Sequence, residues 1–280
     1  MIKDKDRKLK EKYSIETGYF ENGLPYARMG NKTEILIEIE ALSFIHKPPS
    51  GMMLKEFIKS GKLLTEEFTY YLIGRRPNLP EGYLFDQMAE DYADLIRKKF
   101  MAPVNIMGTS TGGQIAQYLA ADHPDVIKKL VLISTAYRLS EEGAKIEQKA
   151  ADYFKQAKYG KSMTAITDMI YSSRILKAIM NPLICLFGRN FIGDIKYPND
   201  FLNEIRGDGE MNFIDRLKDI KVPTLVLSGA NDIGYTAEDV TQTAEGIPNG
   251  ELKLYEKFGH NLVLRNRKEV MNNVMDFLKG

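Results

Sequence analysis

The chain has 280 residues, 44% hydrophobic and 28% charged, enough to bury a large core without disulfides or metal. Lys and Arg number 39 against 38 Asp and Glu, so the formal charge of +1 provides no global attraction for nucleic acid or an acidic polymer. A single cysteine, Cys185, excludes an intrachain disulfide, and no apolar stretch approaches the roughly 20 residues of a membrane span.

Residues 1–12 alternate acidic and basic side chains and read as a solvated arm or frayed helix. No apolar run backs this charged start, so it does not read as a signal peptide, and a cytoplasmic location is expected. Residues 13–20 and 24–29 flank Asn22-Gly23, a turn pair that tolerates positive φ, which predicts a hairpin. Strands follow at 34–39 and 68–73, with a short helix at 52–59 between them. Residues 86–100 carry Met88, Ala89, Tyr92, Leu95, Ile96 and Phe100 at amphipathic-helix spacing. A strand at 104–107, a small-residue helix at 112–121 and a strand at 130–133 continue the alternation. From 139 to 215 the rhythm stops and helical periodicity takes over, at 144–158 and 162–178. It resumes with a strand at 223–227, a helix at 237–245, a strand at 251–255 and a helix at 263–278. Such alternation predicts a mostly parallel sheet covered by helices on both faces, opened by an antiparallel hairpin.

Within this frame Gly108-Thr109-Ser110-Thr111-Gly112 is a G-x-S-x-G motif placed directly after a strand and before a helix. A turn this sharp strains Ser110 and leaves room only for glycine at its flanks. It also sets the Thr111 N–H at a helix N-terminus, where an oxyanion is stabilised. A phosphate-binding turn competes as a reading, but neither a Walker Lys-Ser/Thr pair nor G-x-G-x-x-G spacing is present.

Serine needs a general base, and the chain has three histidines. His46 lies in an early loop and His123 at the end of the helix behind the nucleophile, places that suit structural roles. His260 follows the last strand in a Gly-hinged loop and is the candidate base. Asp232 falls in the loop after the strand at 223–227 and is the candidate acid. Asp239 is a rival whose position suits the first turn of the next helix.

The order Ser110, Asp232, His260 and three landmarks, GTSTGG, VPTLVLSGAND and FGH, resemble the α/β-hydrolase family along essentially the whole chain. The resemblance implies a roughly eight-stranded sheet, a core of residues 1–138 and 216–280, and a helical cap at 139–215. It implies acyl-transfer chemistry on a small, partly apolar ester or thioester, with no metal or cofactor. Many relatives have a His-Gly pair after the strand at 34–39; here Glu40-Ala41-Leu42-Ser43 stands there, so Ala41 or Leu42 is expected to give the second oxyanion N–H. Glu38 and Glu40 read as outward residues. Arg75 and Arg76 are candidates for a substrate carboxylate or phosphate, or for bridges to nearby acids. The apolar run 175–187 reads as lid packing or as the wall of an acyl pocket, with Cys185 a buried thiol. Two alternatives stay open: the same triad used for lyase, peroxidase-like or acyltransferase chemistry, and a binding protein that has lost catalysis.

Overall fold

In a computed structural model describing residues 2–171, 174–192 and 194–280, eight strands form a single sheet. They are β1 Glu16–Tyr19, β2 Pro25–Met29, β3 Ile35–Ile39, β4 Thr69–Ile73, β5 Val104–Thr109, β6 Ile127–Ile133, β7 Thr224–Gly229 and β8 Gly250–Tyr255. The spatial order is β1-β2-β4-β3-β5-β6-β7-β8. The β1–β2 and β2–β4 pairs are antiparallel and every other pair is parallel.

Strand side chains alternate between faces, and the core divides accordingly. Ile37, Ile106, Leu132 and Val226 face one layer, packed by α3 (Phe85–Leu95), α4 (Thr111–Asp122) and α9 (Ala237–Gly246). Their neighbours Leu36, Met107, Val131 and Leu225 face the other, packed by α2 (Gly51–Leu64) and α10 (Leu262–Lys279). Both faces of the central strands are apolar because both are covered, as a parallel sheet requires.

Between β6 and β7 lie four helices: α5 Glu141–Lys155, α6 Tyr159–Ile170, α7 Arg174–Ile192 and α8 Pro198–Glu210. Phe154, Ile166, Phe201 and Ile205 give α5, α6 and α8 a separate small core, against which Leu42 and Phe44 pack from the loop after β3. Each large apolar side chain fully buried there contributes about 1.5–3 kcal/mol. This core joins the helical segment to the loop after β3.

The structure decides one open reading and corrects others. Residues 2–12 form a helix, α1, tied to the N-terminus of α2 by the Gly51 amide donating to Asp6 Oδ2 at 2.9 Å. The expected helix at 162–178 ends at Ile170, and a new one runs from Arg174 through Pro182 to Ile192. Within it Cys185 is exposed, as are Ile179, Leu183 and Leu186, so this run is not lid packing throughout. The side chains of Ile175, Leu176 and Phe187 lie outside the described residues. Among the described residues, no helix is long and apolar enough to cross a membrane.

Candidate active site

β5 runs into α4 through Ser110, whose φ of 53° and ψ of −128° place a non-glycine residue in a strained, left-handed region. The flanking glycines are required by contact. A Cβ on Gly108 would lie 2.6 Å from Gly112 O, and one on Gly112 would lie 2.2 Å from Ile39 O. The elbow is therefore clamped between its own helix and the end of β3. The Thr111 amide, first in α4, takes no part in a hydrogen bond among the described residues and points from a helix N-terminus.

Asp232 and His260 sit beyond the ends of β7 and β8. His260 Nδ1 lies 2.8 Å from Asp232 Oδ2, and the other carboxylate oxygen accepts the amides of Gly234 at 2.8 Å and Tyr235 at 3.2 Å. Both side chains are buried. Burial opposes a charged imidazole, but the adjacent Asp232 outweighs it and holds the His260 pKa above its ordinary value. Among the described residues no hydrogen bond joins His260 to Ser110; unliganded catalytic contacts are often long. The two are linked instead by Tyr235. Its ring stacks on the imidazole with centroids 5.8 Å apart, and its buried hydroxyl lies beside Ser110.

The remaining histidines are engaged elsewhere. His46 is buried against Glu204, with Nε2 2.5 Å from Oε1, and His123 caps α4 beside Glu90 and Arg97. Asp239 lies in the first turn of α9, in an N-cap exchange with Thr236 and an ion pair with Arg138.

Arg75 is buried and Arg76 partly exposed, and both are already paired with acids. Arg75 is 1% exposed. Its guanidinium grips both carboxylate oxygens of Glu204 and the carbonyls of Glu40, at 2.5 Å, and Ala41, at 2.9 Å. Arg76 pairs with Asp91 at 3.0 Å and lies over the Tyr83 ring. Glu38 and Glu40 are not outward either. Glu38 accepts from the hydroxyls of Tyr70 and Thr109, and Glu40 is buried, with burial raising its carboxyl to about 7.

The grip of Arg75 bears on the loop expected to supply the second oxyanion amide. With the carbonyls of Glu40 and Ala41 held by Arg75 and the Ser43 amide given to Glu204 at 3.3 Å, the loop after β3 is fixed. The amides of Ala41 and Leu42 have no hydrogen-bond partner among the described residues. Sequence reasoning missed the anchor of this arrangement. Asp200, Glu204 and Asp208 recur every four residues on one face of α8, and all three are buried. Asp200 accepts the amides of Asn78 and Leu79, Glu204 holds Arg75 and His46, and Asp208 accepts the Thr111 hydroxyl at 2.7 Å. Among the described residues no cluster of His, Cys, Asp and Glu is arranged to hold a metal.

The family model described as serine aminopeptidase, S33, matches residues 83–266. A poly(3-hydroxyalkanoate) depolymerase of Ectopseudomonas oleovorans is 27% identical over 209 residues, covering 70% of this chain and 68% of that protein. A pimeloyl-[acyl-carrier protein] methyl ester esterase of Chromobacterium violaceum is 38% identical over 87 residues, 29% of this chain and 32% of that one. Among solved structures, an enol-lactonase from Burkholderia xenovorans LB400 superposes with a TM-score of 0.75 at 18% identity, covering 95% of this chain and 100% of the other. At under 25% identity this last likeness speaks for the fold alone. With the eight-stranded sheet, the Ser110 elbow and a family match over most of its length, the chain belongs to the serine aminopeptidase family of α/β-hydrolases.

Proposed function

We propose that the protein is a serine hydrolase of carboxylic esters or thioesters of small, partly apolar substrates, with residues 139–215 as a cap over the site. The reading is supported by the strained Ser110 elbow at the end of β5 together with the buried His260–Asp232 pair beyond the ends of β7 and β8. Ser110 Oγ attacks the acyl carbon while its proton passes to His260 Nε2. Asp232, bonded to Nδ1, fixes the tautomer and stabilises the imidazolium. The Thr111 amide holds the oxyanion together with an amide of Ala41 or Leu42. Collapse of the tetrahedral intermediate breaks the bond to the alkoxide or thiolate, which leaves with the proton from His260. Water, deprotonated by His260, then attacks the acyl-Ser110 ester and releases the acid. The depolymerase and the methyl ester esterase among the relatives support an ester as the reacting bond.

A fluorophosphonate should label the wild type and not Ser110→Ala, and p-nitrophenyl esters of graded chain length should be turned over by the wild type alone. Equal labelling of both proteins would refute the assignment. Labelling without turnover of any ester would point to other chemistry at the same serine.

A further inference from the structure

We propose that β8 is the interface for a second copy of this chain: two β8 edges pair antiparallel about Leu252 and join the two sheets into one. This pairing does not depend on the chemistry at Ser110.

β8 ends the strand order and, among the described residues, pairs only with β7. Which of its backbone groups face outward follows from the ladder. The Thr224 amide donates to the Asn249 carbonyl at 2.9 Å, and the Ala230 amide donates to the Tyr255 carbonyl at 3.1 Å. Parallel strands bond through alternate residues. Odd positions from 249 to 255 therefore turn their polar groups toward β7, while Gly250, Leu252 and Leu254 turn theirs outward. The Gly250 amide is closed by the Ile247 carbonyl at 3.0 Å, which leaves Leu252 as the centre of the open row. An unpaired row of this kind is a template for another strand.

The side chains select the partner. β8 reads Gly250-Glu251-Leu252-Lys253-Leu254-Tyr255. A lysine on an edge strand ordinarily keeps copies apart, because like charges meet. Here a glutamate stands two residues before it. A two-fold axis at Leu252 sets Glu251 directly opposite Lys253 of the second copy, and Lys253 opposite Glu251 of the second copy, on one face of the joined sheet. These are the positions outside the hydrogen-bonded pairs, where side chains stand closest. The charge that guards an edge thus becomes two ion pairs. Leu252, 37% exposed, meets its own copy between them. Glu251 has no ion pair among the described residues; Lys253 Nζ donates to Asn273 Oδ1 at 2.8 Å and lies 3.9 Å from Glu269.

The approach is open. α10 packs over β7, and a groove of about 720 Å³ lies beside the edge, lined in part by Glu251, Lys253, Asn273 and Phe277. The opposite edge offers no such match. β1 is only Glu-Thr-Gly-Tyr, and its single charge, Glu16, is already paired with Arg28 at 3.7 Å.

Sedimentation velocity of the full chain from about 1 to 200 μM should show a monomer–dimer equilibrium. A monomer at every concentration overturns the interface. Leu252→Pro removes an outward amide, leaves the β7 ladder intact and suits an edge position, so it should stay monomeric with an unchanged circular dichroism spectrum. Dimers that persist in a folded Leu252→Pro place the contact elsewhere and overturn it as well. Glu251→Lys sets lysine against lysine at both pairs and should weaken dimerisation at least about fivefold. Glu251→Lys/Lys253→Glu restores opposite charges in the same register and should return the dissociation constant toward that of the wild type. These two variants decide the matter even where the proline variant does not fold. A single variant that dimerises like the wild type, or a double variant no tighter than the single, refutes the pairing about Leu252.

Discussion

Replacing Arg75 by Leu separates an internal anchor from a substrate-binding arginine. The guanidinium is 1% exposed and makes four contacts that the substitution removes: two to Glu204 and one each to the carbonyls of Glu40 and Ala41. The loss leaves Glu204, itself 0% exposed, without its main countercharge. Breaking one side of a buried ion pair costs about 3–5 kcal/mol, because the remaining charge is uncompensated. For a chain of this length the unfolding entropy near Tm makes each kcal/mol worth roughly 2 °C, so the midpoint should drop by roughly 6–10 °C. The double variant Arg75→Leu/Glu204→Leu removes both charges and should recover more than half of that loss. The assay is urea and thermal unfolding of wild type, both single variants and the double, closed as a cycle. A substrate-facing arginine gives the opposite pattern: stability within about 0.5 kcal/mol of wild type and a raised KM. Strictly additive losses in the cycle would refute the ion-pair argument.

Asp232 raises the His260 pKa, so the base is neutral only above its ordinary range; the acid limb of kcat/KM should lie above pH 6.5, and Asp232→Asn should shift it downward while lowering kcat by roughly 10⁴-fold. A limb unmoved in Asp232→Asn would exclude His260 as the titrating base. Asp208 is raised from 3.8 to about 8, so over this window the folded chain keeps a proton the unfolded chain releases, and stability falls as pH rises. Urea midpoints measured from about pH 5 to 8 should fall less steeply in Asp208→Asn than in wild type; equal slopes would show that Asp208 ionises normally. Cys185 is exposed and should react as one thiol per native chain with Ellman's reagent within minutes, whereas a thiol reacting only in denaturant would place that face of α7 in an interface.

The sheet was legible because its signals are local. Strand residues such as Ile106-Met107 and Val131-Leu132 are apolar on both faces, and Asn22-Gly23 marks the hairpin without reference to anything distant. The elbow was legible for a related reason: Gly108 and Gly112 are forced by contacts with their own helix and with the adjoining strand end. His260 and Asp232 were readable from chain order and strand position, and the structure brings them together at 2.8 Å. α8 was not read as a helix. Its sequence, PNDFLNEIRGDGE, has two glycines and few apolar residues, and acids every four positions also describe an ordinary solvated surface helix. What turns Asp200, Glu204 and Asp208 inward are partners far away in sequence: Asn78 and Leu79, Arg75 and His46, and Thr111. Burial of a charged face is a tertiary fact, invisible to periodicity.

The same acids resolve a difficulty in the chemistry. A carboxylate near an oxyanion hole opposes the charge that develops there, and this site has Glu40, Glu204 and Asp208 close by. Each is handled differently. Glu204 stays ionised, but Arg75 and His46 absorb its charge, and the same Arg75 holds the carbonyls of the loop after β3. The carboxyl of Glu40 is turned toward Gly74, where a Cβ would meet it at 2.6 Å, and burial raises its pKa to about 7. Asp208 has no cation bonded to it and is held toward its neutral form by burial and by Glu204. A neutral acid beside the nucleophile turn does not repel an oxyanion. Successive turns of one helix thus anchor the loop after β3, through Glu204 and Arg75, and the nucleophile turn, through Asp208 and Thr111.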